Sequence, residues 1–397
     1  MTMNAHIVIA GGGLAAQRCV ETLRRSGHEG RITIVCSEST APYDRPPLSK
    51  AVLAGAAEVA GLALRPPEWH EENAIELVLG NGAKQLRAED HELVLEDGTA
   101  LGYDRLLIAT GAVPRRLDLF ADAPNAHVLR TADDATRLRA ALTPGSRLVV
   151  IGGGFIGQEV AATARGLGVE VALFEAMDAP LVGLFGHELG TWFADLHRAN
   201  GVAVHCGVTA VDTVRGDNGS IVSLITGEGT TVPCDTILVG VGVAPADDWL
   251  SGTGLGGGGV ECDEHGRTVL DDVFAAGDVA RPYDHFLGAH ARSEHWEAAA
   301  RQGAAAARAM LGIDAVAPSP ASFWSDQYGH RIQYIGYAPA GDSHEIHGDL
   351  ATTDFHVTWQ RDGRPIAALA INRPRELGPM RKLVQETLDH HRQETTA

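Results

Sequence analysis

A short apolar run, His6 to Ala10, gives way after a glycine-rich turn to a stretch with helical spacing of apolar residues, Leu14 to Ser26, and then to a second apolar run, Arg31 to Cys36. The change from a run to a 3.6-residue period and back predicts a strand, a helix and a second strand. The same succession returns later, with a strand at Arg147 to Ile151, a helix at Phe155 to Leu167, and the run VEVALFE ending at Glu175. Two copies of one βαβ unit predict an α/β chain with two Rossmann-like folds. Between them, HELVLEDG ends on an Asp-Gly turn, and YDRLLIATG brings an apolar run to a glycine. Beyond the second copy, TILVGVGVAP and VFAAGDVA are further apolar runs with glycine turns, and EHWEAAARQGAAAARAMLG has the composition of a helix closed by glycine. The segment APSPAS, Ala317 to Ser322, interrupts all periodicity and reads as a linker. After it, FWSDQYGHRIQYIGYAP and FHVTWQRDGRPIAALAINRP alternate at the strand period and lead into a polar helix, which predicts a small C-terminal α+β domain.

The strand-to-helix turns carry the candidate chemistry. In the first, Gly11-x-Gly13-x-x-Ala16, the first glycine permits the turn, the second lets a pyrophosphate approach the backbone, and the small third residue lets the helix pack on the sheet. Ser37 and Glu38 stand where an acidic group should accept hydrogen bonds from an adenosine ribose, and Glu38 is the better match. The second fingerprint, Gly152-x-Gly154-x-x-Gly157, is complete, and Glu175 ends the next strand 18 residues beyond Gly157. A carboxylate there bonds a ribose 2′-hydroxyl and repels a 2′-phosphate; no arginine follows in EAMDAP, so NADH is expected over NADPH. Arg45 and Lys50 place cations on a loop stiffened by Pro46 and Pro47, and Asp278 emerges after an apolar run and Gly277, where open α/β sheets put ligands.

Composition narrows the classes. The 397 residues carry 32 Lys+Arg against 51 Asp+Glu, a net charge of −19, which argues against a nucleic-acid partner because such a surface repels a phosphate backbone. Hydrophobic residues at 45% and charged residues at 21% fit a folded globular protein. The 47 glycines follow no collagen period and fit many tight turns. Five cysteines, Cys19, Cys36, Cys206, Cys234 and Cys262, show no C-x-x-C spacing, so no disulfide framework and no structural zinc site is expected, and a reducing cytoplasm fits. Neither a signal-peptide pattern nor an apolar run of membrane-spanning length is present, so no membrane attachment is expected.

Taken together, PYDRPPLSK (Pro42 to Lys50), ATG (Ala109 to Gly111), GGGFIGQE (Gly152 to Glu159), FAAGDVA (Phe274 to Ala280) and FWSDQY (Phe323 to Tyr328) resemble the flavoprotein ferredoxin reductases that serve Rieske dioxygenases and bacterial cytochromes P-450, in the glutathione-reductase-like superfamily. The resemblance covers nearly the whole chain. It implies non-covalent FAD on the first fold, held by Gly11, Gly13, Leu14, Ala15, Ser37, Glu38, Arg45, Lys50, Ala83, Ala109, Thr110, Gly111, Arg130, Gly277, Asp278, His295, Trp296 and Trp324. NADH is implied on the second, shaped by Gly152, Gly154, Phe155, Ile156, Gly157, Glu159, Glu175 and Gly242, with Lys50 and Glu159 as the catalytic pair. The implied division is 1–110 with 241–317 for FAD, 111–240 for NAD and 318–397 for the C-terminal domain. The implied electron acceptor is a [2Fe–2S] ferredoxin. Because ferredoxins are usually acidic as well, a local basic patch is needed, and Arg292, Arg301 and Arg308 are the candidates, on a monomer or homodimer. The redox cysteine pair of disulfide reductases is missing, since no cysteine lies between Cys36 and Cys206. An NADH oxidase, a rubredoxin or quinone reductase, and a low-turnover flavin-binding signalling protein resembling apoptosis-inducing factor are the alternatives.

Overall fold

The computed structural model describes residues 4–313, 319–338 and 342–396. Part of the expected linker at Ala317 to Ser322, and the boundary between residues 317 and 318, lie outside the described residues.

Both predicted βαβ units form. In the first, strands Ile7–Ala10 and Ile32–Val35 flank the helix Leu14–Arg25. They belong to a five-stranded parallel sheet completed by Ile75–Val78, Arg105–Ile108 and Val273–Ala275. Every residue of the two central strands is buried, as expected for a parallel sheet covered on both faces. The second unit has strands Arg147–Ile151 and Glu170–Glu175 around the helix Phe155–Gly166, in a parallel sheet with Ala203–Cys206, Thr236–Val239 and Ala126–His127. Residues from HELVLEDG onward make the hairpin Glu92–Leu95 and Ala100–Gly102, joined by Ala83–Arg87.

One expectation changes in detail. TILVGVGVAP is not a single element: Thr236–Val239 stays in the second sheet, the chain turns at Gly242 with φ +94°, and Val243–Pro245 pairs antiparallel with Ala112–Pro114. This two-stranded link lies where the chain passes between the two folds.

The C-terminal part is a five-stranded antiparallel sheet in the order Ser322–Gln327, His330–Gly336, Arg364–Ile371, Asp354–Arg361, Ser343–Asp349, followed by the helix Pro374–Thr396. The Ala-rich helix, Trp296–Met310, lies across Leu14–Arg25. Their approach is close: a Cβ on Gly303 would fall 2.1 Å from the Ala15 carbonyl oxygen. A further helix, Val182–Ala199, carries no sequence expectation and bends at Gly186, where φ is +81°. Its Phe185 and Phe193 are buried among aromatic residues of the C-terminal sheet.

Candidate active site

Each fingerprint begins with a glycine forced by contact. Gly11 has φ +121°, and a Cβ there would sit 2.1 Å from the Ala109 carbonyl oxygen; Gly152 has φ +104°, with Gly240 O at 2.4 Å. The next fingerprint glycines, Gly13 and Gly154, are extended helix N-caps with no side-chain cap, no acid in the first turn and nothing within 4 Å of a Cβ. The leading N–H groups of both helices therefore have room and dipole for an anionic group. Gly157 answers the packing role, since a Cβ there would lie 2.2 Å from Gly152 O.

A ladder of charged groups, with two arginines between two carboxylates, runs along the first fold. Glu38, just beyond the second strand, accepts from Arg45 Nη2 and from the Tyr43 hydroxyl, both at 2.7 Å. Arg45 Nη1 reaches the Arg130 carbonyl at 2.8 Å, and Arg130 Nη2 reaches Asp278 Oδ2 at 2.8 Å. Local sequence fixes the members. Pro46 opens the short 3-10 turn Pro46–Ser49, and Arg130 precedes a capping box in which Thr131 and Asp134 close the start of the helix Ala132–Ala141. A Cβ on Gly111 would come within 3.2 Å of Arg130 Nη2, so Ala109 to Gly111 border the same ladder. Thr110 bonds Ala246 O at 2.7 Å. Ser37 lies beside Gly82 and hence Ala83, at the ladder's outer end. Gly277 donates to Gln302 Oε1 at 2.7 Å and faces Ala15.

The aromatic residues divide. Trp296 donates from Nε1 to Asp44 at 2.6 Å and meets Trp324 edge-on at 5.8 Å. His295 stacks on Phe323 at 4.7 Å, and burial lowers its pKa against the opposing pull of Asp278.

At the meeting of the two folds, Lys50 Nζ lies 2.6 Å from Glu159 Oε2, with the glutamate only 4% exposed. On the second fold, Glu175 Oε2 accepts from Gly153 N and Oε1 from Met177 N, each at 2.8 Å, so the carboxylate is held at the rim of the turn. Ile156 is 45% exposed there, and Arg115 is the neighbour of Gly242. Phe155 differs: its ring packs on Phe323 at 4.7 Å and on Phe185 at 6.2 Å, in the core shared with the C-terminal sheet.

Residues 5–303 match the pyridine nucleotide-disulphide oxidoreductase family and residues 322–396 the reductase C-terminal family. The chain is 37% identical, over 95% of its length and 92% of the relative, to the 5,5′-dehydrodivanillate O-demethylase ferredoxin reductase subunit of Sphingobium. It is 36% identical, over 96% and 93%, to the benzene 1,2-dioxygenase system ferredoxin–NAD(+) reductase subunit of Pseudomonas putida. The chain belongs to the NADH:ferredoxin reductases. Its fold superimposes on the reductase in the covalent putidaredoxin reductase–putidaredoxin complex with a TM-score of 0.94 and 33% identity, covering 96% and 93% of the two chains.

In this reductase all five cysteines are free. Cys36 touches the first turn, its sulfur filling the space a Cβ on Gly12 would take, and burial pushes its thiol up to about 12. That is a packing residue, with no thiolate available at neutral pH. Among the described residues no helix is long and apolar enough to cross a membrane. Of the three candidate docking arginines, Arg292 pairs with Glu294 at 2.5 Å, and Arg301 is drawn to Ser319, Pro320 O and, at 3.8 Å, Glu297. The Arg308 guanidinium has no hydrogen-bond or ion-pair partner among the described residues, while its backbone carbonyl accepts from Leu311 N and Ile313 N.

Several residues of the candidate site had no separate sequence signal. Ser49 and Ser325 both donate to Glu159, at 2.5 and 2.7 Å, and Asp44 receives Trp296. All three stand inside the quoted motifs PYDRPPLSK and FWSDQY. Gln302 and Gly303 stand in the Ala-rich helix, where the interrupted alanine run was their one visible trace.

Proposed function

We propose that the chain takes two electrons from NADH on the second fold, through FAD on the first, and passes them singly to a [2Fe–2S] ferredoxin that feeds an oxygenase. The observation that carries this reading is the Lys50–Glu159 contact, which joins the loop of one fingerprint fold to the helix of the other. The residues fit FAD. The uncapped turn at Gly13 suits a pyrophosphate, the Glu38–Arg45–Arg130–Asp278 ladder offers carboxylates at its ends and guanidinium groups between them along an extended polar molecule, and Arg292 Nη1 and Ser293 Oγ are buried without a partner beside His295. When bound, FAD supplies the two-electron to one-electron conversion between a hydride donor and an iron–sulfur acceptor. The protein's part is placement: Gly13, Leu14 and Ala15 hold phosphate, Glu38 and Asp278 hold hydroxyls, and Gly154, Ile156, Glu175 and Gly242 shape the nicotinamide nucleotide's cleft. Lys50 keeps a cation where the two cofactors meet.

For the acceptor we place the docking charge around Arg308 and the exposed edge of the Trp296–Trp324 pair, where Arg18 and Arg331 lie over the rings at 6.0 and 5.3 Å. Arg301 and Arg292 already face carboxylates, as do Arg18 with Glu21 and Arg331 with Asp326, so Arg308 is the cation of this group left unpaired among the described residues to meet an acidic partner. With unpaired cysteines throughout, the cytoplasm is the compartment we propose. Anaerobic titration with NADH bleaches the flavin under this reading, and the reduced enzyme then reduces ferredoxin faster than oxygen or quinone. A flavin left unbleached by NADH, or equal slow rates with all three acceptors, overturns it.

A further inference from the structure

The strand Ser322–Gln327 alternates strictly. Trp324 faces Trp296 on one side, while Phe323, Ser325 and Gln327 face the second fold. Two residues along a strand span about 6.6 Å and four along a helix about 6 Å, so alternate strand positions can match successive turns of a helix. Here they do: Phe323 meets Phe155, and Ser325 meets Glu159, four residues on along the same helical face.

Behind this contact the hydrogen bonds have one direction. The Gln158 amide is oriented by its Nε2 donating to Gly153 O at 2.8 Å, which turns Oε1 toward His197 Nε2 at 3.2 Å. Gln327 Oε1 faces the same nitrogen at 3.1 Å, so Nε2 carries the hydrogen and Nδ1 accepts from the Tyr328 hydroxyl at 2.7 Å. Gln327 Nε2 then donates to Ser325 Oγ at 3.2 Å, and Ser325 is left to donate its own hydrogen to Glu159 Oε1 at 2.7 Å. The other carboxylate oxygen, Oε2, accepts from Ser49 and Lys50. A carboxylate this buried therefore meets three donors from two separate stretches of chain, and the C-terminal sheet supplies one that cannot turn away.

We propose that Ser325 is a positioning residue for NADH oxidation: its hydroxyl fixes the Glu159 carboxylate, and through it the Lys50 ammonium, at the junction of the two cofactor folds. The C-terminal domain thereby completes the hydride-transfer site. The inference rests on the reading that NADH reduces FAD beside this pair.

The test uses the FAD-loaded enzyme, with Ser325→Ala, Ser325→Thr, and Ile335→Val as a control that opens a small cavity in the same sheet. Loss of one hydrogen bond to a charged group is expected to slow the limiting rate of flavin bleaching by NADH about tenfold in Ser325→Ala, with the half-saturating NADH concentration changed less than twofold. A second readout needs no turnover. The chain has three lysines, Lys50, Lys84 and Lys382, and the latter two are exposed. Amine acylation followed by peptide mass spectrometry is expected to show Lys50 labelling rising severalfold relative to Lys84 in Ser325→Ala. Ser325→Thr, which keeps the hydroxyl, and Ile335→Val should match the wild type in both. Wild-type rates and labelling in Ser325→Ala overturn the inference, as does a control or threonine variant that behaves like alanine. A wild-type enzyme that NADH does not bleach overturns the functional reading instead, and this inference with it.

Discussion

The crossing of the helices Leu14–Arg25 and Trp296–Met310 ties cofactor binding to one absent side chain. A Cβ on Gly303 falls 2.1 Å from Ala15 O and 2.9 Å from Ala15 C. Both are backbone atoms of the second residue in the helix whose first turn we propose holds the FAD pyrophosphate, so no rotamer change relieves the clash. In Gly303→Ala the helices must part by roughly 1 Å to restore ordinary contact. Overpacking of this severity costs about 3 kcal/mol, and alanine's better helix propensity returns about 1, leaving a net loss of about 2 kcal/mol. At about 2–4 °C per kcal/mol for a unit of this size, the melting temperature should fall by roughly 4–8 °C. The displaced Gly13 and Leu14 N–H groups should also weaken FAD retention, measured as flavin-to-protein ratio after gel filtration. Gly378 is the counterpart, in the helix Pro374–Thr396, where a Cβ meets nothing within 4 Å. There the same substitution should stabilise by about 0.5–1 kcal/mol. If Gly303→Ala keeps full flavin and an unchanged melting temperature, the close crossing does not hold the turn in place and the reasoning is wrong.

Two further outcomes follow from single groups. Glu175→Ala removes the carboxylate that faces the expected ribose and also frees Gly153 N and Met177 N, so kcat/KM with NADH should fall about 10–100-fold and the NADH/NADPH ratio should shrink, in steady-state assays with both nucleotides. His197 is wholly buried, and burial lowers its pKa to about 4. Its charged form is disfavoured in the fold, so its contribution is complete above the unfolded value near 6.5 and is lost as pH falls from there to about 4, a change of about 3 kcal/mol. In a comparison of melting temperature against pH, His197→Gln should show a flatter acid limb than the wild type; parallel curves would count against that assignment.

What the sequence made legible was whatever a local rule demands. Gly11 and Gly152 could be read because a strand-to-helix turn crossing a neighbouring backbone admits no Cβ, and the alternation in FWSDQY could be read because a strand has a period of two. The helix Val182–Ala199 escaped because Gly183, Gly186 and Gly190 break its pattern. Gly190 is there for tertiary reasons, with Pro180 O only 2.7 Å from its Cβ position. Partnerships were the larger gap. Arg45 was visible as a cation on a stiff loop, but nothing local says that it faces Glu38 and the Arg130 carbonyl, 85 residues away. Likewise the seven-residue spacing of Arg301 and Arg308 marks a common face. Glu297, four residues before Arg301 in the same helix, is the local signal that separates the two, since it pairs with Arg301 and leaves the Arg308 side chain without a carboxylate among the described residues.

The two proposed cofactor sites differ in a way that suits the tenancies proposed for them. On the first fold the ladder's charged groups have partners before any ligand arrives: Glu38 with Arg45 and Arg130 with Asp278, while Asp44 accepts from the Trp296 indole. Such a site loses little freedom on binding, which favours tight retention of a resident group. On the second fold the candidate carboxylate, Glu175, is held by two backbone N–H groups alone, and Ile156 stands exposed beside the open turn at Gly154. Fewer fixed partners and more exposed apolar surface suit a nucleotide that must leave after each hydride transfer. Glu159 belongs to the exchanging fold, yet its partners Lys50 and Ser49 come from the resident one and Ser325 from the C-terminal sheet. On the proposed reading, the carboxylate beside the exchanging nucleotide is thus anchored from outside the fold that binds it, so the junction can keep its geometry through the coming and going of nucleotide.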